Sequence, residues 1–67
     1  MCLSAVYREK IDGSSVVVQE ASSLTVSDES TVRIKTLFGE ETVLSGYYVR
    51  EVNLLKNYVI LAETSHD

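Results

Sequence analysis

The stretch Val32-Arg33-Ile34-Lys35-Thr36 gives the clearest indication of the fold. Val32, Ile34 and Thr36 alternate with the cationic residues Arg33 and Lys35. Successive side chains point to opposite faces in an extended strand, so this alternation places the two cations on one face and the apolar residues on the other. The segment therefore predicts a β-strand that covers a core with one face and meets water with the other.

Similar alternating or β-branched runs recur on both sides of this strand, and short segments rich in glycine, serine, asparagine or aspartate separate them. The turn signals are Asp12-Gly13, Asp28-Glu29-Ser30, Gly39, Ser45-Gly46 and Lys56-Asn57. The predicted strands are Cys2 to Arg8, Val16 to Val18, Leu24 to Ser27, Val32 to Thr36, Thr42 to Leu44, Tyr47 to Leu54 and Tyr58 to Ala62.

These runs predict an all-β fold, a small antiparallel barrel of six or seven short strands that closes or nearly closes. The chain has no proline, so every backbone N–H can join a ladder. Ala21-Ser22-Ser23 fits either a turn or a bent strand entry. Glu51 to Lys56 could form one helical turn, but a strand or turn fits the alternation better. We expect residues 1–67 to form a single domain.

The small size of the chain points to an additional source of stability. A core built from 67 residues rarely supplies more than roughly 3–5 kcal/mol by itself. The single cysteine excludes a disulfide within the chain. A bound metal, a second subunit or very consistent strand pairing would have to compensate, so we expect self-association.

Composition narrows the classes of function. No run of about 18 apolar residues is present, and the first residues lack the pattern of a secretory signal, so we expect a cytoplasmic protein without a membrane span. The net charge is −4 and the six basic residues are scattered. This charge repels phosphate backbones, which makes a nucleic-acid partner unlikely on electrostatic grounds.

The opening Met1-Cys2 carries the most informative chemistry in the chain. The Met1 amine, the Cys2 amide nitrogen and the Cys2 sulfur would chelate an ion in two fused five-membered rings. Such rings favour angles near 90°, and square-planar nitrogen and sulfur donors favour Ni(II) or Cu(II) over Zn(II). If Met1 is removed, Cys2 offers its own amine and thiolate. Either set is incomplete, so a site shared across a symmetric dimer is attractive.

Other interpretations stand beside this metal site. Cys2 could be a small apolar residue that packs at the start of a strand. His66 fits a solvated tail residue. Glu40 and Glu41 are adjacent on a turn, and adjacent residues point to opposite faces, so these carboxylates do not converge. Glu9 and Asp12 fit the solvated rim of a hairpin. Tyr7, Tyr47, Tyr48 and Tyr58 could stack on bases, although tyrosines more often fill cores and interfaces.

No pattern in the sequence supports an enzyme. The three glycines are isolated, so they do not form a phosphate-binding loop, and His66 has no neighbour that would orient it as a base.

The chain resembles the CooT family of small nickel-binding proteins. The resemblance rests on Met1-Cys2-Leu3-Ser4, on Leu37-Phe38-Gly39-Glu40-Glu41 and on the segment from Gly46 to Glu63, in which Val52 to Asn57 precedes the final strand. It implies a small β fold, a homodimer, Ni(II) bound through Cys2, and an accessory role in nickel delivery to carbon monoxide dehydrogenase. The alternative is a small β-barrel module that binds RNA or another protein.

Overall fold

The structure, a computed structural model, describes residues 3–64, so Met1, Cys2 and His66 lie outside the described residues. None of the described residues forms a helix that is long and apolar enough to cross a membrane. The strands are β1 (Ser4–Arg8), β2 (Val16–Ser27), β3 (Thr31–Thr36), β4 (Glu41–Ser45), β5 (Tyr47–Asn53) and β6 (Tyr58–Glu63), with a short 3₁₀-helix, Gly13–Ser15, before β2.

The six strands form one sheet in the order β4-β3-β2-β1-β6-β5. The prediction of an all-β fold with six strands is thus confirmed. The expectation of purely antiparallel pairing is wrong at one place, because β1 and β6 run parallel. Four intervening strands separate β1 from β6 in the sequence, so no hairpin turn constrains their relative direction. Strands β4 and β5 form the two edges, and the pairing of the described residues does not close the sheet into a barrel.

The two strands predicted at Val16 to Val18 and Leu24 to Ser27 are parts of one long strand, β2. The segment around Ala21 is an irregularity within it, where the register with both neighbouring strands shifts. Ala21 pairs with Ser4 of β1 on one side and with Thr36 of β3 on the other. Of the two interpretations of Ala21-Ser22-Ser23, the bent strand is the one that the structure shows, and it lets a single strand serve both halves of the sheet.

The predicted turns at Asp28-Glu29-Ser30 and Lys56-Asn57 are present, and the chain bends at Gly39 as predicted. Asp28 and Asn57 adopt φ values of 57° and 59°, and Gly39 adopts 89°. The connection from β1 to β2 is longer than a two-residue hairpin, because it includes the 3₁₀-helix. The Asp12 carboxylate caps that helix by accepting a hydrogen bond of 3.1 Å from the Ser14 amide. Short polar residues account for the turn positions here, since they tolerate a left-handed backbone or bond to it directly.

The core is aliphatic. Its buried cluster draws on β1, β2, β3 and β6, and Val6, Val32, Ile34 and Leu61 have no accessible surface. Within residues 3–64 no polar or charged residue is buried. The alternation seen in Val32 to Thr36 is confirmed, because Val32 and Ile34 are buried while Arg33 and Lys35 are exposed. The described core therefore holds no ionisable group that could act as a base or a nucleophile.

A single glycine joins the two edge strands. Gly46 stands between β4 and β5 with φ 81°, and its amide donates to the Ser30 carbonyl over 2.7 Å. The Gly46 carbonyl in turn accepts a hydrogen bond of 2.8 Å from the Thr64 amide. This corner attaches both edges of the sheet to the turn after β2 and to the end of β6.

The end of β1 is held by Glu9, which has φ 72°. Its carboxylate accepts a hydrogen bond of 2.8 Å from the Glu63 amide and lies 3.9 Å from the Arg50 guanidinium. The Arg50 guanidinium also donates to the Glu9 carbonyl. Glu9 and Arg50 are both exposed, so this ion pair contributes about 0–1 kcal/mol. The prediction that Glu9 is solvent-exposed is thus correct. The contacts of Glu9 also connect β1, β5 and β6.

Replacing Gly46 by alanine should lower the free energy of unfolding by about 1–2 kcal/mol, because a side chain disfavours a left-handed backbone. No heavy atom lies within 4 Å of the added methyl group, so the cost comes from conformation rather than from a clash. Gly13→Ala is the matched control, since Gly13 has equal space and no positive φ. Urea unfolding of both variants measures the difference, and equal stabilities would contradict this account.

Candidate metal centre at the amino-terminal strand

The start of β1 fixes where the amino-terminal residues join the fold. Ser4 pairs with Ala21 of β2, and Ala5 pairs with Tyr58 of β6. The Ala5 amide donates a hydrogen bond of 3.1 Å to the carbonyl of Asn57, which belongs to the turn between β5 and β6. The polypeptide therefore enters the sheet between the bend of β2 and the β5–β6 turn. Met1 and Cys2, the predicted ligands, lie outside the described residues, and only Leu3 separates Cys2 from Ser4.

A cleft of about 160 Å³ lies beside this entry point. Its floor is apolar, because Val6, Ala21 and Val59 are core residues, and serine hydroxyls contribute to its wall. One of these, Ser22, donates through Oγ to main-chain carbonyls of β3 at 3.3 Å. The residues that line the cleft carry no ionisable side chain: Ser4, Val6, Ala21, Ser22, Ser23, Leu24 and Val59. The cleft can accept a small apolar group, but it offers no strong metal donor.

On the other side of β1 lies the β5–β6 turn, whose conformation is well determined by hydrogen bonds. The Asn53 side-chain oxygen accepts a bond of 2.8 Å from the Lys56 amide. The Tyr58 hydroxyl donates to the Glu51 carboxylate over 3.0 Å, at the base of the turn. Asn57 takes the left-handed conformation that ends the turn. The turn thus holds Leu54 and Leu55 outward, 83% and 88% exposed.

Residues 3–64 contain no group of three or more histidine, cysteine, aspartate or glutamate side chains that could hold a metal ion. The thiolate and main-chain nitrogens of Met1-Cys2 supply suitable donor chemistry for a square-planar ion. The assignment of Cys2 and Met1 as ligands stays a prediction.

The weaker carboxylate candidates behave as solvated surface groups. Glu40 and Glu41 are both exposed, and the Glu41 carboxylate lies 3.4 Å from the Arg33 guanidinium. Asp12 caps the 3₁₀-helix and lies 3.8 Å from the Lys10 ammonium. The Glu41 and Asp12 carboxylates thus have cationic or main-chain partners of their own, and the described pairs do not form a convergent ligand set.

Tyr7 and Tyr58 do not form a stacking platform with the basic residues of β3. Tyr7 and Tyr58 are half-buried and meet edge to face, with ring centroids 6.4 Å apart and planes at 78°. The Tyr58 hydroxyl is bound to the Glu51 carboxylate, which would repel a phosphate. Arg33 and Lys35 lie on β3, which is separated from β1 by β2. A stacking site needs aromatic and basic side chains together, and β2 keeps the pair Tyr7 and Tyr58 apart from Arg33 and Lys35.

Sequence reasoning missed the exposed pair Leu54 and Leu55. Alternation had assigned Leu54 to the end of a strand, whereas β5 ends at Asn53. The signal was nevertheless present, because two adjacent leucines in a turn between Asn53 and Asn57 cannot both face a core.

The described residues define a small all-β protein with an aliphatic core and its polar side chains at the surface. A sequence model of the CooT family, described as CO dehydrogenase accessory protein CooT, matches residues 1–62. The chain belongs to the CooT family, which confirms the resemblance described above. This is an accessory family and not a catalytic one, in agreement with the expectation that the protein is not an enzyme. A comparison with curated protein sequences gives no match.

Asn53→Ala should loosen the β5–β6 turn, because the Lys56 amide loses its acceptor. We expect a loss of about 1 kcal/mol in the free energy of unfolding and faster hydrogen exchange at the Lys56 amide. Leu54→Ala is the matched control in the same turn, and its large exposure predicts a change within about 0.5 kcal/mol. A Leu54→Ala variant less stable than Asn53→Ala would show that the leucines support the monomer, contrary to this description.

Proposed function

We propose that the protein binds Ni(II) through the Cys2 thiolate and the main-chain nitrogens of its first two residues, as an accessory protein that stores the ion or passes it on for the maturation of CO dehydrogenase. The observation that carries this proposal is the family match, which starts at residue 1 and so includes Met1 and Cys2. Nickel is the cargo of the protein in this account, and Cys2 is the residue that holds it.

The surroundings of β1 support this assignment of donors. The residues that line the cleft beside Ser4 are neutral, so the cleft neither competes with the amino-terminal donors for an ion nor completes a site by itself. Strand β1 is paired on both sides, which gives the terminal residues a fixed base. In a reducing cytoplasm, the compartment that we expect, the thiol remains free to bind metal as a thiolate.

The donor count supports a homodimer. Square-planar coordination requires four donors, and the Met1-Cys2 unit supplies three, or two if Met1 is removed. If Met1 is removed, a two-fold axis that passes close to both amino termini would bring together two donors from each chain and so complete the set of four. Because the described residues contain no other ligand cluster, a second copy of the chain is the simplest source of the missing donors.

Nickel titration followed by absorbance should reveal a thiolate-to-nickel charge-transfer band in the wild-type chain, and Cys2→Ser should abolish it. The physical reason is that Cys2 is the only thiol. His66→Ala is the control and should keep the band, since His66 is not predicted to be a ligand. If Cys2→Ser binds nickel with unchanged affinity, the proposed donor is wrong.

A second variant tests the nitrogen donor. Two residues added before Met1 leave the thiol in place but move the amine, so the band should shift or weaken. Native mass spectrometry of the same samples gives the number of nickel ions per dimer and shows whether Met1 is retained. An unaltered band in the extended chain would exclude the amine.

Nickel affinity should fall as the pH is lowered, because thiol, amine and amide donors must lose protons before they bind. The apparent affinity should decrease about tenfold per pH unit for each proton released. Competition titrations at pH values from about 6 to about 8 measure this slope. Copper(II) should bind at least as tightly in the same assay. A pH-independent affinity would indicate donors that carry no proton, contrary to the proposal.

The second candidate function is a module that binds another protein, which the exposed Leu54 and Leu55 favour. It predicts that Cys2→Ala retains every interaction of the wild-type chain. The RNA-binding form of this alternative requires a strongly salt-dependent affinity for RNA, which the separation of Tyr58 from Arg33 and Lys35 does not favour.

A further inference from the structure

The turn between β3 and β4 carries apolar side chains that the described core does not use. Leu37 is 54% exposed and Phe38 is 73% exposed, which makes Phe38 the most exposed aromatic residue described. Both belong to the segment Leu37 to Glu41, on which part of the family resemblance rests. Nickel binding through Met1-Cys2 gives this segment no role, so its exposed side chains need a separate explanation.

Hydrogen bonds hold this turn in a defined conformation. The Leu37 amide donates to the Glu20 carbonyl over 3.0 Å, which attaches the turn to the neighbouring strand β2. The amides of Phe38 and Glu40 both donate to Thr36 Oγ1 at 3.2 Å. The exposure of Leu37 and Phe38 is therefore a feature of the fold, and apolar side chains held in water by an anchored turn are typical of a contact surface.

The turn lies at the end of the sheet where the amino terminus joins it. Thr36, the last residue of β3, pairs with Ala21, and Ala21 pairs on its other side with Ser4, the first residue of β1. Two strand spacings, roughly 10 Å, therefore separate the start of the turn from Ser4. Cys2 precedes Ser4 by two residues, and two extended residues span at most about 7 Å. A protein bound at this turn is thus within reach of the proposed nickel donors.

The charges beside the turn define the kind of partner that fits it. Glu20 and Glu40 are exposed, and within residues 3–64 neither carboxylate is in an ion pair. The next carboxylate, Glu41, lies 3.4 Å from the Arg33 guanidinium. Lys35 is the other cation of β3, so carboxylates outnumber cations here, as they do in the whole chain with its net charge of −4. A partner with lysine or arginine around an apolar pocket complements this surface, whereas an anionic surface is repelled.

The Phe38 surface consists of Glu20, Leu37, Phe38 and Glu40. We propose that this surface docks the protein that receives nickel, through an apolar pocket rimmed by lysine or arginine in that partner. The inference rests on the proposed function for the identity of the occupant, because a receiver of nickel must approach Cys2. Phe38 enters the pocket, and the carboxylates pair with the cations at its rim. Docking uses no metal ligand, so it also occurs with the metal-free chain.

The first test is surface plasmon resonance of the metal-free full chain on immobilised nickel-free CO dehydrogenase, the receiver in the proposed function. Phe38→Ser should raise the dissociation constant at least about tenfold, because the buried aromatic anchor is lost. Ile11→Ser is the matched control, since Ile11 is 53% exposed and lies beyond the opposite end of β1 from Ser4. A wild-type chain that does not bind, a Phe38→Ser chain that binds equally well, or an equal loss in Ile11→Ser would each overturn the proposal.

The second test concerns the charge of the partner and uses the same binding assay. Glu40→Lys should raise the dissociation constant at least about fivefold at low salt, because it places a cation opposite the cationic rim. Added salt should weaken the binding of the wild-type chain, since it screens the exposed charges. Glu29→Lys is the matched control, with the same change of charge in the turn after β2, at the other end of that strand from Glu20. Equal losses in the two variants, or binding that salt strengthens, would contradict a basic rim.

Docking and nickel binding fail separately in these experiments. Metal-free Cys2→Ser should dock as the wild type does, whereas Phe38→Ser should keep the thiolate-to-nickel band and pass nickel to the enzyme at least about tenfold more slowly. Docking that depends on Phe38 in a chain without a nickel band overturns nickel binding and supports the docking surface. A nickel-loaded Phe38→Ser chain that docks and transfers normally overturns this inference and supports the metal proposal.

Discussion

The structure depends on the insertion of β1 between β2 and β6. Val6 of β1 is completely buried and pairs with Val59 of β6, and both belong to the aliphatic core. Without β1 the sheet would separate into two parts, because β2 and β6 have no direct pairing. The same insertion determines where the amino terminus joins the protein. The stability of the fold and the location of the proposed metal site therefore have one origin, the pairing of a five-residue strand on both of its edges.

Local features of the fold were predictable from the sequence, because each rests on neighbouring residues. The alternation of Val32 and Ile34 with Arg33 and Lys35 gives a strand and its buried face, and Asp28, Gly39 and Asn57 mark turns. The order of the strands in the sheet was harder to predict from the sequence. Period-two alternation shows which face is buried, but it carries no information on which strand lies beside which, so the parallel pairing of β1 with β6 could not be foreseen.

The candidate site divides in the same way. The donor chemistry of Met1-Cys2 follows from covalent structure and needs no fold. The cleft beside Ser4 arises from the irregularity of β2 near Ala21, which the small residues Ala21-Ser22-Ser23 permitted but did not require. The exposure of Leu54 was missed because a pattern-based reading assigns apolar residues to a buried face, and only the end of β5 at Asn53 shows otherwise.

The aliphatic core also bears on function. No polar side chain is buried in the described sheet, so none requires a hydrogen-bond or charged partner inside the core. The described side chains that can bind or react therefore lie at the surface. Such a division suits an accessory protein. Substitutions at the surface can alter what the protein binds while the packing of Val6, Ile34 and Leu61 is unchanged.

The parallel arrangement of β1 and β6 has a practical consequence for handling the protein. Since both strands run in the same direction side by side, the chain enters the sheet at one end and leaves β6 at the opposite end. Six residues of extended strand separate these ends by roughly 20 Å. A purification tag or fluorescent label attached after Asp67 would therefore be joined to the sheet at the end remote from Ser4, whereas a tag placed before Met1 would alter the amine itself.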